Sequence, residues 1–228
     1  MSTCFRVQWG RRMKALQRAD LESKAARIDA LRAEIRTMEG GSVGDCRRAP
    51  SGLDALDALT GGLPVPGLVE INGPLGGGAH RLAVGLAAAA LRLGRRVVWV
   101  DGQGWFHPPG AAALGVEPSA LCLVRPPVER AGWAVEQLLR AGCFPLVVVD
   151  GVAAVGHAGH RWARAAEAGC ATALVLAERP SRAIPAAQRL SVHAGVVSVV
   201  RDRLGGWAPR VTEAPAPSDG VERWISAC

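Results

Sequence analysis

Five short apolar runs alternate with helical segments between residues 68 and 176, and this alternation is the strongest constraint on the fold. The runs predict strands at Leu68–Ile71, Val97–Val100, Leu121–Val124, Leu146–Val149 and Ala173–Leu176. Strands of this kind are buried on both faces, as in a mainly parallel sheet that helices cover on each side. The helices between them are predicted at Arg81–Leu93, Pro108–Leu114, Glu129–Ala141 and His160–Ala168. We therefore expect an α/β fold.

Two further elements are predicted beside this alternation. Ser51 to Leu59 predicts a short helix, with Ser51 as its cap and Asp54 in the capping-box position. Val196–Val200 and Ala208–Val211 flank a glycine-containing turn, which predicts an antiparallel hairpin at the edge of the sheet.

The amino-terminal part is different in character. Residues 11–39 contain no Gly or Pro and predict one long helix, which Gly40 ends. We expect an arm of residues 1–45, a core of residues 46–212 and a flexible tail of residues 213–228.

An apolar stripe runs along the predicted arm helix. Its members recur at heptad-like spacing and are Leu21, Ile28, Leu31 and Ile35. The stripe either docks on another protein or packs on the core of the same chain. Residues 1–50 also carry 11 Lys and Arg against 6 Asp and Glu. This surplus is typical of an arm that binds an acidic partner or nucleic acid, or of a solvated basic helix.

Lysine is almost absent from the sequence. Of 27 basic residues, 25 are arginine, and the two lysines are Lys14 and Lys24. Chemistry that requires a lysine in the main body of the chain is therefore excluded.

Composition excludes several other classes of protein. No window reaches 18 uninterrupted apolar residues, and the amino terminus lacks the apolar stretch of a signal peptide. The six cysteines occur singly, which argues against a disulfide framework or a zinc site. We expect a cytoplasmic protein with no membrane contact and no bound metal.

A glycine-rich loop follows the first predicted strand and leads into a helix, which is the setting of a phosphate-binding loop. Gly73 and Gly78 have the spacing of the motif G-x-x-x-x-G-K-[ST]. Ala79 stands in place of its lysine, and His80 stands in place of the hydroxyl that binds magnesium. Asp150, at the end of the fourth predicted strand, keeps the place of the metal-side aspartate.

Both replacements remove chemistry that phosphoryl transfer needs. An alanine cannot neutralise phosphate charge, and Mg²⁺ prefers oxygen to imidazole nitrogen. We expect no catalytic residue and no bound cofactor. Other motifs are weaker: Gly102–Gly104 is a fragment of a dinucleotide fingerprint, His157 and His160 are only two ligands, and no G-x-S-x-G elbow is present.

The order of these segments resembles the RecA-type core. The matching stretches are Ser51–Leu59, Gly61–Pro64, Gly67–Pro74, Val100–Asp101, Leu114–Val116 and Val147–Ala154. In an active recombinase the catalytic glutamate follows the second strand, and Gln103 stands there in this chain. The resemblance therefore implies a RecA-like fold with a degenerate ATP site, because a neutral amide cannot act as the base.

Within this superfamily the chain resembles the ImuA family, RecA-like accessory proteins of bacterial mutagenic translesion synthesis. The likeness is carried by Leu31–Arg36 before Gly40, by the lysine-free loop and by Gly115–Arg125 with Trp133–Gly142. It implies a non-catalytic adaptor of the SOS response to DNA damage. The implied partners are RecA, an ImuB-like Y-family polymerase homologue and, indirectly, an error-prone C-family polymerase.

The resemblance also suggests contact residues. In related proteins a helix and the following strand pack on a neighbouring subunit, and Val43 lies in the corresponding strand here. Recombinases place a DNA-binding loop after the fifth strand, where this chain has Arg179, Arg182 and Arg189. These arginines bind DNA or serve as solubilising surface charge. A SulA-like inhibitor of cell division and a DNA-binding RecA-family ATPase with an unusual loop are the alternative functions.

Overall fold

The computed structural model describes Arg27, residues 47–204 and the backbone of residues 210–213. The chain divides into two units, Met1–Asp45 and Cys46–Cys228. Arg27 is helical, as the predicted arm helix requires. The rest of that helix, most of the predicted tail and the arm contact residues lie outside the described residues; those contact residues are Leu21, Ile28, Leu31, Ile35 and Val43.

Ten strands and five helices of the described chain make up the fold. The strands are β1 (Arg47–Ala49), β2 (Leu63–Val65), β3 (Gly67–Asn72), β4 (Val97–Asp101), β5 (Leu121–Val124), β6 (Leu146–Asp150), β7 (Thr172–Ala177), β8 (Gln188–His193), β9 (Val196–Asp202) and β10 (Arg210–Glu213). The helices are α1 (Asp54–Thr60), α2 (Ala79–Arg92), α3 (Pro108–Ala113), α4 (Val128–Arg140) and α5 (Ala158–Gly169).

Eight strands form one twisted sheet in the order β10-β9-β8-β3-β7-β6-β4-β5. From β8 to β5 all neighbours are parallel, while β9 runs antiparallel to both β8 and β10. The prediction of a mainly parallel sheet with an antiparallel edge is therefore confirmed. The five strands and four helices predicted between residues 68 and 176 all form, with ends that differ by no more than two residues.

The antiparallel edge is larger than predicted. No element was predicted for Gln188–His193, which forms β8 and lies between β3 and β9. Ala194 and Gly195, both with positive φ, make the tight turn from β8 to β9. The predicted hairpin is present as β9 and β10, and the described part of β10 is Arg210–Glu213; Ala208 lies outside the described residues.

The prediction that Ser51 caps α1 is wrong. The helix begins three residues later, with Leu53 as its N-cap and no side-chain capping bond. The hydroxyl of Ser51 accepts the Leu53 amide at 3.1 Å. The carboxylate of Asp57, not Asp54, accepts the backbone N–H of Ser51 at 2.9 Å.

Side chains of successive strand residues enter two separate apolar layers, as the period of two requires. On one face of the sheet, Val69 and Ile71 of β3 pack with α1, α2 and α3. On the other face, Leu68 packs with α4 and α5 around Trp162. None of the described helices combines the length and the apolar character that crossing a membrane requires. The carboxyl ends of β3, β4 and β6 meet at one edge, which we call the carboxyl edge.

Candidate functional site

The loop between β3 and α2 has a backbone shape that requires two of its glycines. A Cβ atom on Gly73 would lie 2.4 Å from the carbonyl oxygen of Val192 in β8. Gly78 is the N-cap of α2, and its φ of 107° lies in the left-handed region. Close packing against β8 therefore requires a glycine at position 73, and the left-handed backbone before the first residue of α2 favours a glycine at position 78.

Ala79 is the first residue of α2 and is only 5% exposed. Its methyl group belongs to the apolar layer that α1, α2 and α3 form on the sheet. The position at which a phosphate-binding loop carries a lysine is thus apolar and buried.

His80 reaches across the carboxyl edge to the end of β6. Its Nε2 lies 3.0 Å from Oδ1 of Asp150, whose side chain is 6% exposed. The hydrogen bond to Asp150 raises the pKa of His80 above its ordinary value, and the negative charge of Asp150 does the same. Partial burial acts in the opposite direction and is outweighed. His80 is therefore the hydrogen-bond partner of Asp150 and takes up a proton more readily than an ordinary histidine.

Gln103 lies against the exit of β6. A Cβ atom on Gly151 would be 2.3 Å from the Gln103 Cγ, and the amide of Gly102 donates to the carbonyl of Asp150 at 2.8 Å. The structure therefore brings together the predicted loop and edge residues, which are Gly73, Gly78, Ala79, His80, Gln103 and Asp150.

A second buried acid lies beside this cluster. Asp101 at the end of β4 pairs in register with Asp150 at the end of β6. Its carboxylate accepts the amides of Trp105 at 2.9 Å and Phe106 at 3.1 Å, and Nε of Arg125 at 2.9 Å. Burial raises the pKa of Asp101, but these hydrogen bonds and the charge of Arg125 outweigh it, so the pKa is lowered overall.

Sequence reasoning did not find Arg125 as a site residue. Its one signal is its position immediately after β5, the strand that pairs with β4. Each of the two acids at the carboxyl edge thus has a basic partner from the chain itself: His80 for Asp150 and Arg125 for Asp101.

The three arginines predicted to contact DNA differ in their surroundings. Arg179 and Arg182 are exposed in the segment between β7 and β8. Arg189 is in β8, where its side chain is 14% exposed and forms an ion pair with Glu70. Arg189 is therefore directed into the protein.

Glu70 in β3 is fully buried and was not predicted as a site residue. Its carboxylate accepts the amide of Ser181 at 2.7 Å and Nδ2 of Asn72 at 3.2 Å, in addition to Arg189. Nη2 of Arg189 donates to the carbonyl of Ser181 at 2.8 Å. This cluster fixes the segment that carries Arg179 and Arg182 to the sheet.

The side chains at the carboxyl edge do not fit a magnesium–nucleotide complex. The aspartate on the metal side is bound to an imidazole, and the first residue of α2 offers a methyl group to the phosphates. Across the described residues, no group of three or more His, Cys, Asp or Glu is placed to hold a metal ion.

Comparison with known proteins agrees with this architecture. The family model of the RecA N-terminal domain matches residues 29–161. Curated relatives include the RecA proteins of Nocardioides sp., 38% identical over 56% of this chain and 40% of its own length, and of Chlorobium chlorochromatii, 39% identical over 62% and 42%. The RecA protein of Haemophilus ducreyi is 32% identical over 62% of this chain and 41% of its own length.

The chain spans about two fifths of the length of these relatives. The family model covers more than half of the chain, from the predicted arm to the start of α5. The chain therefore belongs to the RecA N-terminal domain family.

Proposed function

We propose that this chain is a non-catalytic RecA-family adaptor of the ImuA type, which acts in SOS-induced translesion synthesis. One observation carries the proposal: His80 is bound to Asp150 while the buried methyl group of Ala79 replaces the lysine. The likeness to the ImuA family supplies the pathway. A cytoplasmic location accords with that role.

Charge is the physical reason for expecting no turnover. Phosphoryl transfer depends on positive groups placed around the β- and γ-phosphates. The imidazole of His80 is already hydrogen-bonded to Asp150, and Ala79 contributes no charge. Gln103 cannot act as a general base toward water.

An adaptor needs surfaces for its partners. The proposed partners are RecA and an ImuB-like Y-family polymerase homologue, with an error-prone C-family polymerase recruited indirectly. We propose that residues 1–45 dock on a RecA-type core through the stripe Leu21, Ile28, Leu31 and Ile35 and the segment around Val43.

Direct DNA contact is proposed for Arg179 and Arg182, because both are exposed on one segment. Arg189 is left out of this proposal, since its guanidinium is paired with buried Glu70.

Turnover is tested by phosphate release from ATP with single-stranded DNA. Wild type is compared with Asp150→Asn, which controls for contaminating ATPases. We expect equal, background rates; a wild-type rate above that of Asp150→Asn contradicts the proposal. In the double variant Ala79→Lys/His80→Thr, which restores the loop motif, we expect binding of a fluorescent ATP analogue to increase.

The adaptor role is tested by co-purification with RecA and with the ImuB-like protein. We expect the full chain to retain both and the chain without residues 1–45 to lose RecA. Circular dichroism and thermal unfolding of the truncated chain control for its folding. Unchanged retention of RecA by a folded truncated chain contradicts the role of the arm.

A further inference from the structure

A cavity of about 290 Å³ lies at the amino ends of the strands, away from the carboxyl edge. The ribbon of β1 and β2 covers one side, where the register pairs Arg47 with Val65 and Ala49 with Leu63. The last turns of α2 and the first residues of β6 and β7 complete it. The main apolar walls are Leu63, Val65, Leu86, Ala90 and Leu146.

The polar groups of this cavity have one sign of charge. Two arginines, Arg47 and Arg95, line it and no Asp or Glu does. The hydroxyls of Ser51 and Thr172 are already bonded to backbone, at 3.1 Å to the Leu53 amide and 2.7 Å to the Pro64 carbonyl. An occupant therefore meets apolar walls and positive charge but no unpaired hydroxyl.

Arg47 is available for such an occupant. Its side chain is exposed, and it has no hydrogen bond or ion pair within the part of the chain that the structure describes. The next residue, Arg48, instead bonds to Asp202 and to the carbonyl of Gly62. Neighbouring side chains of β1 thus have different roles: Arg48 holds the ribbon in place, and Arg47 lies on the cavity side.

We propose that this cavity receives one large apolar side chain from an acidic segment of another protein, with carboxylates beside that anchor pairing with Arg47 and Arg95. The volume is at the lower limit for small-molecule sites and suits a single side chain. Buried apolar anchors in pockets dominate protein interfaces, and arginine pairs well with carboxylates. The formal charge of +7 favours an acidic partner.

This inference is independent of the adaptor role, since a core with or without ATP turnover presents the same cavity. Its test uses the full chain and a blocked, dye-labelled pentapeptide with phenylalanine between two pairs of aspartates. Fluorescence anisotropy is expected to show saturable binding. Replacing the phenylalanine by alanine is expected to weaken binding about tenfold or more, because the buried aromatic area is lost.

Charge variants locate the site. We expect Arg47→Glu to weaken binding about fivefold and Arg95→Gln to weaken it measurably. Arg96→Glu is the matched control, because Arg96 is exposed beside Arg95 but does not line the cavity. Circular dichroism verifies that each variant is folded.

Four outcomes would each overturn the proposal. They are no saturable binding at millimolar peptide, equal affinity of the phenylalanine and alanine peptides, equal losses in Arg47→Glu and Arg96→Glu, and binding of phenylacetate without binding of the peptide. The last outcome would assign the cavity to small organic acids instead of a protein segment.

Discussion

Nε2 of His80 lies 3.0 Å from Oδ1 of Asp150, so a helix start and a strand end are joined by a hydrogen bond across the carboxyl edge. The imidazole side is 48% exposed and the carboxylate side 6%. A buried acid is thereby matched with a histidine whose pKa this contact raises above its ordinary value.

This pair predicts a pH-dependent stability. Because the pKa of His80 is raised on folding, its contribution is complete below the unfolded pKa of about 6.5 and is lost as pH rises through the higher folded pKa. We expect the stability advantage of wild type over His80→Gln to be largest near pH 6 and to shrink towards pH 9. Urea unfolding at several pH values measures it.

His160→Gln is the control for the His80 variant, because His160 is also exposed at the start of a helix. Its pH profile is expected to follow that of wild type. If the free energies of unfolding of wild type and His80→Gln change with pH in parallel, the His80–Asp150 pair makes no pH-dependent contribution to stability.

Removal of Arg125 is expected to destabilise the core. In Arg125→Gln the buried carboxylate of Asp101 loses its charged partner, at a cost of about 1–3 kcal/mol near pH 7. The folded pKa of Asp101 is lowered, so its stabilisation is present above about 3.8 and is lost as pH falls through the folded value. We expect acid unfolding of the variant to begin at a higher pH than in wild type.

Urea unfolding of Arg125→Gln is compared with Arg130→Gln, whose side chain is exposed at the start of α4. The control is expected to change the free energy of unfolding by less than about 0.5 kcal/mol. Adding Asp101→Asn should recover part of the loss in Arg125→Gln. Equal free energies of unfolding for Arg125→Gln and Arg130→Gln would contradict the role of Arg125.

The pair of Glu70 and Arg189 is expected to show strong coupling. Arg189→Met leaves a fully buried carboxylate without its cation, which costs about 3 kcal/mol or more. Because the double variant Glu70→Gln/Arg189→Met removes both charges, it should be less destabilised than the sum of the single variants. A double-mutant cycle by urea unfolding measures the coupling, and additive effects would exclude it.

Arg179 and Arg182 are expected to set the salt dependence of DNA binding. If each contacts one phosphate, Arg179→Gln/Arg182→Gln lowers the slope of log affinity against log salt for single-stranded DNA by about 1.4. Arg92→Gln/Arg164→Gln also removes two positive charges, at other exposed positions. We expect this control variant to keep most of the wild-type slope. Equal slopes for the two double variants would show a net-charge effect alone.

The parallel part of the sheet could be predicted because its strands are continuous apolar runs. Strand β8 was missed although Arg189–His193 alternates polar and apolar residues, because the strand begins with two polar residues, Gln188 and Arg189, and has no continuous apolar run. Gln188 is fully buried, and Arg189 is stabilised by Glu70, a residue 119 positions earlier. The three-residue strands β1 and β2 are too short to give a periodic pattern, and β2 contains Pro64.

Part of the site was also predictable. The spacing from Gly73 to His80 and the strand end at Asp150 located the loop and its acid, because these belong to one local motif and one strand pattern. The pairing of Asp101 with Arg125 depends on β4 and β5 lying side by side, which no local pattern gives. The capping prediction at Ser51 was wrong because the helix begins at Asp54, so the Ser51 hydroxyl accepts the amide of Leu53, which precedes the first helical residue.

The two acids at the ends of β4 and β6 bear on how the carboxyl edge would respond to the supply of Mg²⁺ and ATP. A nucleotide-dependent machine obtains its counter-charges from solution, and its shape follows the supply of Mg²⁺ and ATP. In this chain the partners of the two acids, His80 and Arg125, belong to the polypeptide itself. We expect the carboxyl edge to keep one arrangement whether the cell is energy-rich or starved.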